Sequence, residues 1–260
     1  MDVHIVDADI DTLPPAEAER ALRVQLAAAY RLVDYFGWTE LIYGHLTVRV
    51  PGPEIHFLIN PFGLNYDEVT ASNLVKIDLD GTIVDDSGHP VNRAGFVIHS
   101  AVHMANAQKH KCVLHTHTRA GMAICAIEEG LRPVSMFATA FYDAIGFHDY
   151  EGPSLDTDER ERIRANLGDN NVLILRNHGL LVTGTTIPEA FLRLYRLERA
   201  CQIQLDAAAA GTLNELSENA AIASREAMND SNTVGGPAMG RLEFQALMRK
   251  LDKIDPSYRD

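Results

Sequence analysis

The stretch from Cys112 to Thr118 constrains the fold of this chain more than any other. Its first half is apolar and suited to a β-strand, and its second half carries two histidines, His115 and His117, two residues apart. Because side chains alternate between the two faces of a strand, both imidazoles would point to the same side. The stretch therefore predicts a buried strand that ends in a pair of histidines on one face.

A third histidine, His178, follows the apolar run from Val172 to Leu175 and precedes Gly179, where the backbone can approach a neighbouring group closely. Three neutral imidazoles that converge from two strand ends would form an open metal site with one position left for water or substrate. The spacing alone leaves two interpretations open. The histidines form a metal or catalytic site, or they are core residues satisfied by ordinary hydrogen bonds.

Other histidines have simpler interpretations. His99 and His103 lie four residues apart on one predicted helix face, a spacing that can bind metal. No Glu stands between them, so we expect structural roles for both. His110 is expected to lie in solvent.

The hydrophobic pattern predicts alternating strands and helices. Apolar residues spaced three and four apart predict helices at 14–36, 94–108, 118–126, 156–168, 186–210 and 241–251. Alternating or continuous apolar runs predict strands at 46–50, 55–59, 75–79, 112–117, 172–175 and 180–182, with a hairpin from 75–79 into 82–84. Residues 134–138 and 142–147 are expected to be further strands or loops. Early hairpins and late long helices indicate an α/β sandwich, a sheet covered by helices, whose strand order the pattern does not determine.

Three regions are expected along the chain: a flexible N-terminal arm at 1–13, a main domain at 14–211 and a C-terminal helical extension at 212–260. The net charge is −13 with only 23 Lys and Arg, which argues against nucleic acid or an anionic membrane as a partner. Three widely spaced cysteines in apolar surroundings are interpreted as reduced core thiols. No basic start with an apolar run and no long apolar segment is present, so we expect a cytoplasmic protein.

Five short motifs, in this order along the chain, resemble the class II aldolase/adducin superfamily, and most closely its adducin-head-like branch. They are 60–64 (NPFGL), 68–72 (EVTAS), 92–96 (NRAGF), 115–117 (HTH) and 174–179 (ILRNHG). The resemblance covers the chain from about Leu26 to Gly211. It implies a three-layer α/β/α sandwich with a central, mainly antiparallel sheet. It also implies a homo-oligomer, typically a tetramer, with active sites between subunits.

The resemblance assigns the metal ligands of catalytic members to His115, His117 and His178. The cofactor it implies is a divalent metal ion, usually zinc and in some members manganese. A tyrosine that reaches into the neighbouring subunit's site corresponds loosely to Tyr142, and His45 replaces the asparagine of the family's phosphate loop. Either residue is a candidate proton donor.

The chain departs from the aldolase pattern in two places. The run 90–95 (PVNRAG) has no acid where aldolases of the family carry a catalytic glutamate, and 61–63 (PFG) lacks the hydroxyl groups that bind a phosphate. A phosphorylated substrate is therefore not expected. Arg93 could instead clamp a substrate carboxylate, and Asn92 and Gly63 are further candidate substrate-binding residues.

The function expected is that of a metal-dependent lyase of the aldolase or decarboxylase type. It would cleave a C–C bond in a small hydroxy-carbonyl or hydroxy-acid substrate. The alternative is a non-catalytic oligomerisation or scaffold module of the adducin-head type. The absent acid favours the second hypothesis, and the intact set of three histidines favours the first.

Overall fold

Seven strands form one sheet in the computed structural model, which describes residues 10–152, 158–229 and 239–260. The strands are β1 (His45–Val50), β2 (His56–Ile59), β3 (Val75–Ile77), β4 (Cys112–Thr116), β5 (Gly146–His148), β6 (Val172–Leu175) and β7 (Gly179–Gly184). Their order across the sheet is β3-β2-β1-β4-β7-β6-β5. Neighbouring strands are antiparallel except β5 and β6, which are parallel. The prediction of a mainly antiparallel central sheet is confirmed.

The described α-helices are α1 (Pro15–Tyr35), α2 (Arg93–Ala105), α3 (Arg119–Cys125), α4 (Met136–Thr139), α5 (Glu159–Leu167), α6 (Ile187–Ala210), α7 (Glu218–Asn229) and α8 (Arg241–Ile254). Short 3-10 turns lie at Ile10–Thr12, Tyr66–Glu68 and Pro256–Arg259. Among the described residues, no helix combines the length and apolarity that crossing a bilayer requires.

Helices cover both faces of the sheet and make it the middle of three layers. On one face, Ile98 and Val102 of α2 and Ile163 of α5 pack against Val113 and Leu181. The opposite face is covered mainly by α1, α6 and α8. The buried residues of that larger cluster include Leu26, Tyr30, Leu46, Leu114, Val182, Phe191 and Phe244. The expected three-layer α/β/α sandwich is confirmed.

Helix α6 shows how local sequence sets the element boundaries. The side chain of Thr186 accepts a hydrogen bond from the backbone N–H of Glu189, and Pro188 occupies the first turn, where its missing N–H costs nothing. The helix ends at Gly211, as its sequence predicted.

Several expectations were wrong. Residues 136–139 form α4 rather than a strand or loop, because Ser135 caps the helix by accepting from the N–H of Ala138. The hairpin to 82–84 is reduced to an isolated bridge between Ile77 and Ile83. There the carboxylate of Asp78 accepts the N–H of Thr82 and forms a local turn.

The predicted boundaries at 13 and 211 remain predictions, and two contacts bear on them. Most of the N-terminal arm, residues 1–9, lies outside the described residues, but Asp11 pairs with Lys111 at 2.9 Å. At the other end, Phe244, Met248 and Leu251 of α8 are buried in the same cluster as α1 and α6. The C-terminal residues therefore contribute to the main core. The predicted helix start at 156–157 also lies outside the described residues.

Candidate metal centre

His115 is the buried member of a histidine cluster at the end of β4. Its Nδ1 lies 2.8 Å from the carbonyl oxygen of Leu180 on the neighbouring strand β7. Because a carbonyl only accepts hydrogen bonds, Nδ1 must carry the proton, and Nε2 of the neutral ring is left with a free lone pair. Burial, followed by the charges of His117 and His178, holds the pKa of His115 well below its usual range. The ring is therefore neutral at pH 7 and presents Nε2 as a metal ligand.

His117 and His178 complete the cluster from two different strand ends. The Nε2 atoms of His115 and His117 are 2.7 Å apart, and the ring of His178 lies 4.8 Å from that of His115 and 5.0 Å from that of His117. His178 lies in the tight turn between β6 and β7, where Asn177 adopts a left-handed backbone conformation (φ 55°). The turn aims the third imidazole at the other two.

Gly179 allows this arrangement because it leaves no side chain between β7 and β4. A Cβ at position 179 would lie 2.6 Å from the carbonyl oxygen of Thr116 and 3.0 Å from the rings of His115 and His117. These distances are shorter than van der Waals contacts permit. The motif of residues 177–179 thus combines a left-handed turn, a candidate ligand and a position that only glycine fits.

The three residues fit a divalent metal ion. Their candidate ligand atoms all lie within 4.8 Å of one another, so small ring rotations would bring all three within about 2.0–2.1 Å of one zinc ion. Metal binding also requires deprotonated imidazoles. Burial lowers the pKa of His117, and burial with the charges of His117 and His148 lowers the pKa of His178 to about 4. The three imidazoles are therefore deprotonated at neutral pH, as metal binding requires.

His45 lies beside this cluster, opposite His115 in the register of β1 and β4. Its ring is buried, and neither ring nitrogen has a hydrogen-bond partner in the described part of the chain. The ring packs directly on helix α2, since a Cβ at Gly95 would lie 2.3 Å from Cε1 of His45. Burial, with the charges of His117 and His178, lowers the pKa of His45 to about 4.

The predicted substrate-binding residues lie around the start of α2. Asn92 caps this helix, and its side chain accepts weakly from the N–H of Gly95 at 3.5 Å. The helix begins at Arg93, whose side chain lies outside what the structure describes. Gly63 lies in a turn with a positive φ of 107°, and the N–H of its neighbour Phe62 donates to the carbonyl of Pro90. This bond joins the Gly63 turn to the segment that leads into α2.

Tyr142 lies between α4 and β5, and its carbonyl accepts a hydrogen bond from Arg225 of α7. The tyrosine with a ring contact to the cluster within this chain is Tyr150, whose ring lies 5.9 Å from that of His178. Sequence reasoning missed Tyr150. The parallel pairing of β5 with β6 places the residues that follow each strand side by side, and this pairing was not predicted.

Glu198 is a second residue that the sequence did not reveal. The hydroxyl of Thr118, which follows His117 and caps α3, donates to the Glu198 carboxylate at 2.5 Å. Gln202 donates to the other carboxylate oxygen. Burial raises the pKa of this carboxyl group, although these hydrogen bonds oppose the rise. Glu198 anchors the loop that carries His117.

A buried chain of hydrogen bonds links His99 and His103 to the sheet. The hydroxyl of Thr47 lies 2.7 Å from His99 Nδ1 and 2.8 Å from His103 Nε2. The other ring nitrogen of His103, Nδ1, donates to the carbonyl of His110 at 2.6 Å. His110 is itself buried and lies 2.8 Å from the hydroxyl of Thr183. The expectation that His110 lies in solvent was wrong, because Thr183 and the backbone supply its polar contacts.

A mainly antiparallel sheet between two helical layers, with three histidines converging at the ends of neighbouring strands, defines an α/β protein with a candidate metal centre. Residues 24–205 match the sequence model of the family described as "Class II Aldolase and Adducin N-terminal domain". The chain belongs to this family. The resemblance found in the five short motifs is confirmed.

Relatives of this chain include both bacterial and animal proteins. A Caulobacter vibrioides protein named "Putative aldolase class 2 protein" is 44% identical over 245 residues, covering 94% of both chains. Mouse alpha-adducin is 44% identical over 259 residues, covering 94% of this chain but 35% of the adducin. The chain thus spans about a third of the adducin's length.

Two solved structures are similar over nearly the whole chain. An aldolase II superfamily protein from Pseudomonas syringae is 47% identical with a TM-score of 0.87, covering 96% of this chain and 98% of that one. An L-fuculose 1-phosphate aldolase from Glaciozyma antarctica PI12 is 31% identical with a TM-score of 0.83, covering 98% of both.

Proposed function

We propose that this protein is a metal-dependent lyase that cleaves a C–C bond in a small, unphosphorylated hydroxy-carbonyl or hydroxy-acid substrate. The observation that carries this proposal is the convergence of His115, His117 and His178, with ligand atoms within 4.8 Å of one another. The likeness to a protein named L-fuculose 1-phosphate aldolase supports the lyase class.

His115, His117 and His178 are the proposed ligands of a divalent ion, with zinc expected and manganese as the alternative. When bound, the ion would supply Lewis-acid chemistry: it would polarise a substrate carbonyl and stabilise the negative charge that develops as the bond breaks. The protein's part is to hold the ligands in place. Leu180 fixes the tautomer of His115, and Glu198 with Thr118 restrains the loop of His117.

His45 is the proposed proton donor. A neutral imidazole carries one N–H, and no group among the described residues accepts it, so this proton is available to a ligand beside the cluster. Tyr142 is the alternative donor if it reaches a neighbouring subunit's site. Tyr150 is a further candidate, because its ring already lies beside His178.

Arg93, Asn92 and Gly63 are the proposed substrate-binding residues. The arginine would clamp a substrate carboxylate through paired N–H bonds. The contact between Phe62 and Pro90 supports a shared location for these three residues at the start of α2. The apolar turn at 61–63 and the buried neutral ring of His45 favour an unphosphorylated substrate.

Two reactions fit this arrangement. Retro-aldol cleavage needs a base that removes a proton from a distant hydroxyl, and the acid expected before α2 is absent from residues 90–95. Decarboxylation needs no such base and is favoured for that reason.

The alternative function is a non-catalytic oligomerisation or scaffold module. It is supported by the 44% identity to mouse alpha-adducin over 94% of this chain. Against it stand three buried or half-buried imidazoles held together at one point, an arrangement that costs free energy unless the side chains bind something.

A homotetramer is proposed for either function, from the family resemblance. Multi-angle light scattering at micromolar concentration would give the mass of the assembly. The mass of a single chain would exclude the proposal.

The lyase proposal is tested by incubating zinc-loaded protein with a panel of hydroxy acids and sugar aldehydes and measuring released carbon dioxide and aldehyde. Product is expected from the native protein and from His56→Ala, which removes a half-exposed histidine of β2, but not from His178→Ala. Equal product from His178→Ala, or no product from a zinc-loaded native protein, would favour the scaffold function.

A further inference from the structure

A separate cavity lies at the other end of the sheet from the histidine cluster. Its volume is about 520 Å³, within the range of small-molecule sites. Strand β4 runs between the two sites, since Lys111 before the strand lines the cavity and His115 near its end belongs to the cluster. The cavity is therefore distinct from the proposed active site and is not used by the lyase reaction.

The walls of this cavity are partly apolar. Leu22 of α1, Val48 and Val50 of β1, Ile10 and Ile187 supply hydrocarbon surface. Such a lining favours a ligand with an apolar body, because burying that body removes its surface from water.

One buried polar side chain, that of Gln25, also lines the cavity. Gln25 of α1 is 3% exposed and lines the cavity, yet its amide has no hydrogen-bond partner in the part of the chain that the structure describes. A ligand in the cavity can form hydrogen bonds to this amide in place of water. Its NH₂ group offers two donors to such a ligand.

Among the described lining residues, cationic side chains outnumber acidic ones, in a chain whose net charge is −13. Arg49, Lys111 and Arg241 line it, together with the residues that begin α6, where the N–H of Glu189 already donates to the Thr186 side chain. Asp11 is the one acidic side chain among the described lining residues, and it is paired with Lys111. Anionic groups with hydrogen-bond acceptors suit this end of the cavity.

We propose that this cavity binds a small amphipathic monocarboxylate, with its carboxylate near Gln25, Lys111 and the start of α6 and its hydrocarbon chain along Leu22, Val48 and Val50. The apolar walls select against a free inorganic anion. The unpaired amide and the cationic rim select against a neutral apolar molecule. Because the site lies apart from the histidine cluster, the inference does not depend on the lyase proposal.

Calorimetric titration of the full-length protein with hexanoate, hexanol and inorganic phosphate tests this. Hexanoate is expected to bind at least about tenfold more tightly than either of the others, a difference of about 1.4 kcal/mol. Gln25→Leu and Lys111→Gln are each expected to weaken hexanoate binding about fivefold or more. Lys109→Gln removes a neighbouring lysine that does not line the cavity and is expected to change nothing.

Each other outcome overturns the proposal. Equal binding of hexanol would show an apolar cavity without an anion site, and equal binding of phosphate would show a simple anion site. No binding of hexanoate, or binding unaffected by both variants while circular dichroism shows them folded, would show that this cavity is not the site. Metal content measured on the same samples reports separately on the histidine cluster.

Discussion

The hydroxyl of Thr118 donates a 2.5 Å hydrogen bond to the carboxylate of Glu198, and it thereby ties the residue after His117 to helix α6. The same hydroxyl caps α3 by accepting from the N–H of Gly121. A single side chain thus joins a candidate ligand, a helix start and a buried acid.

Replacing Thr118 tests this junction. Thr118→Ala removes the cap and leaves the Glu198 carboxyl group short of a donor, so the free energy of unfolding in urea should fall by about 1–3 kcal/mol. Thr118→Ser retains the hydroxyl and should lose less than about half of that amount. Equal losses in the two variants would show that the methyl packing of Thr118, and not its hydroxyl, stabilises the junction.

Gly179 provides a second test, of the close approach between β7 and β4. Gly179→Ala places a Cβ 2.6 Å from the carbonyl of Thr116, so the strands must move apart. A loss of about 1–3 kcal/mol in the free energy of unfolding is expected, together with reduced zinc affinity.

The matched control for this variant is Gly211→Ala. Gly211 has an extended φ of 171°, and a Cβ there meets no atom of the described residues within 4 Å. The free energy of unfolding of Gly211→Ala should stay within about 0.5 kcal/mol of the native value. If Gly179→Ala is as stable as Gly211→Ala and binds zinc normally, the steric account of the 177–179 motif is wrong.

The histidine cluster and the fold class were predictable from the sequence. The residues that surround the cluster were not. The alternation in 112–117 and the motif at 177–179 are local signals, and the family resemblance combined them into one site. The pairing of β5 with β6, which brings Tyr150 to His178, depends on contacts between distant residues that no local pattern encodes. Glu198 looked like an ordinary helix residue, because burial of a single acid depends on what packs against it.

Thr47 provides a third test, through the chain of hydrogen bonds behind the cluster. Because His103 Nδ1 donates to a carbonyl, its neutral Nε2 must accept from the Thr47 hydroxyl, which in turn accepts from His99 Nδ1. Thr47→Val keeps the shape but leaves two buried ring nitrogens without a partner. A loss of about 1–3 kcal/mol in the free energy of unfolding is expected, and an unchanged value would contradict this network.

The buried histidines also predict how stability depends on pH. Burial lowers the pKa of His103 to about 3 and of His110 to about 4, whereas their ordinary value is 6.5. The unfolded chain takes up protons below pH 6.5 while the folded protein does not, so acid favours unfolding. Stability should therefore be greatest above that pH and fall as the pH drops from 6.5 towards 4, by about 1.4 kcal/mol per unit for each such histidine.

This pH dependence is measured by urea unfolding at pH 7, 6 and 5, with a chelator present so that metal release does not contribute. The free energy of unfolding of His103→Gln should depend less steeply on pH than that of the native protein, by the equivalent of about one proton. An identical slope in the variant and the native protein would mean that His103 takes up its proton equally in both states.

Metal content tests the central claim most directly. The native protein, purified without chelators and dialysed against zinc and then against metal-free buffer, should retain about one equivalent per chain by inductively coupled plasma mass spectrometry, as a three-histidine site predicts. His178→Ala should lose most of it, and His56→Ala should keep it. Less than about half an equivalent in the native protein, unchanged in His178→Ala, would contradict a metal centre at His115, His117 and His178.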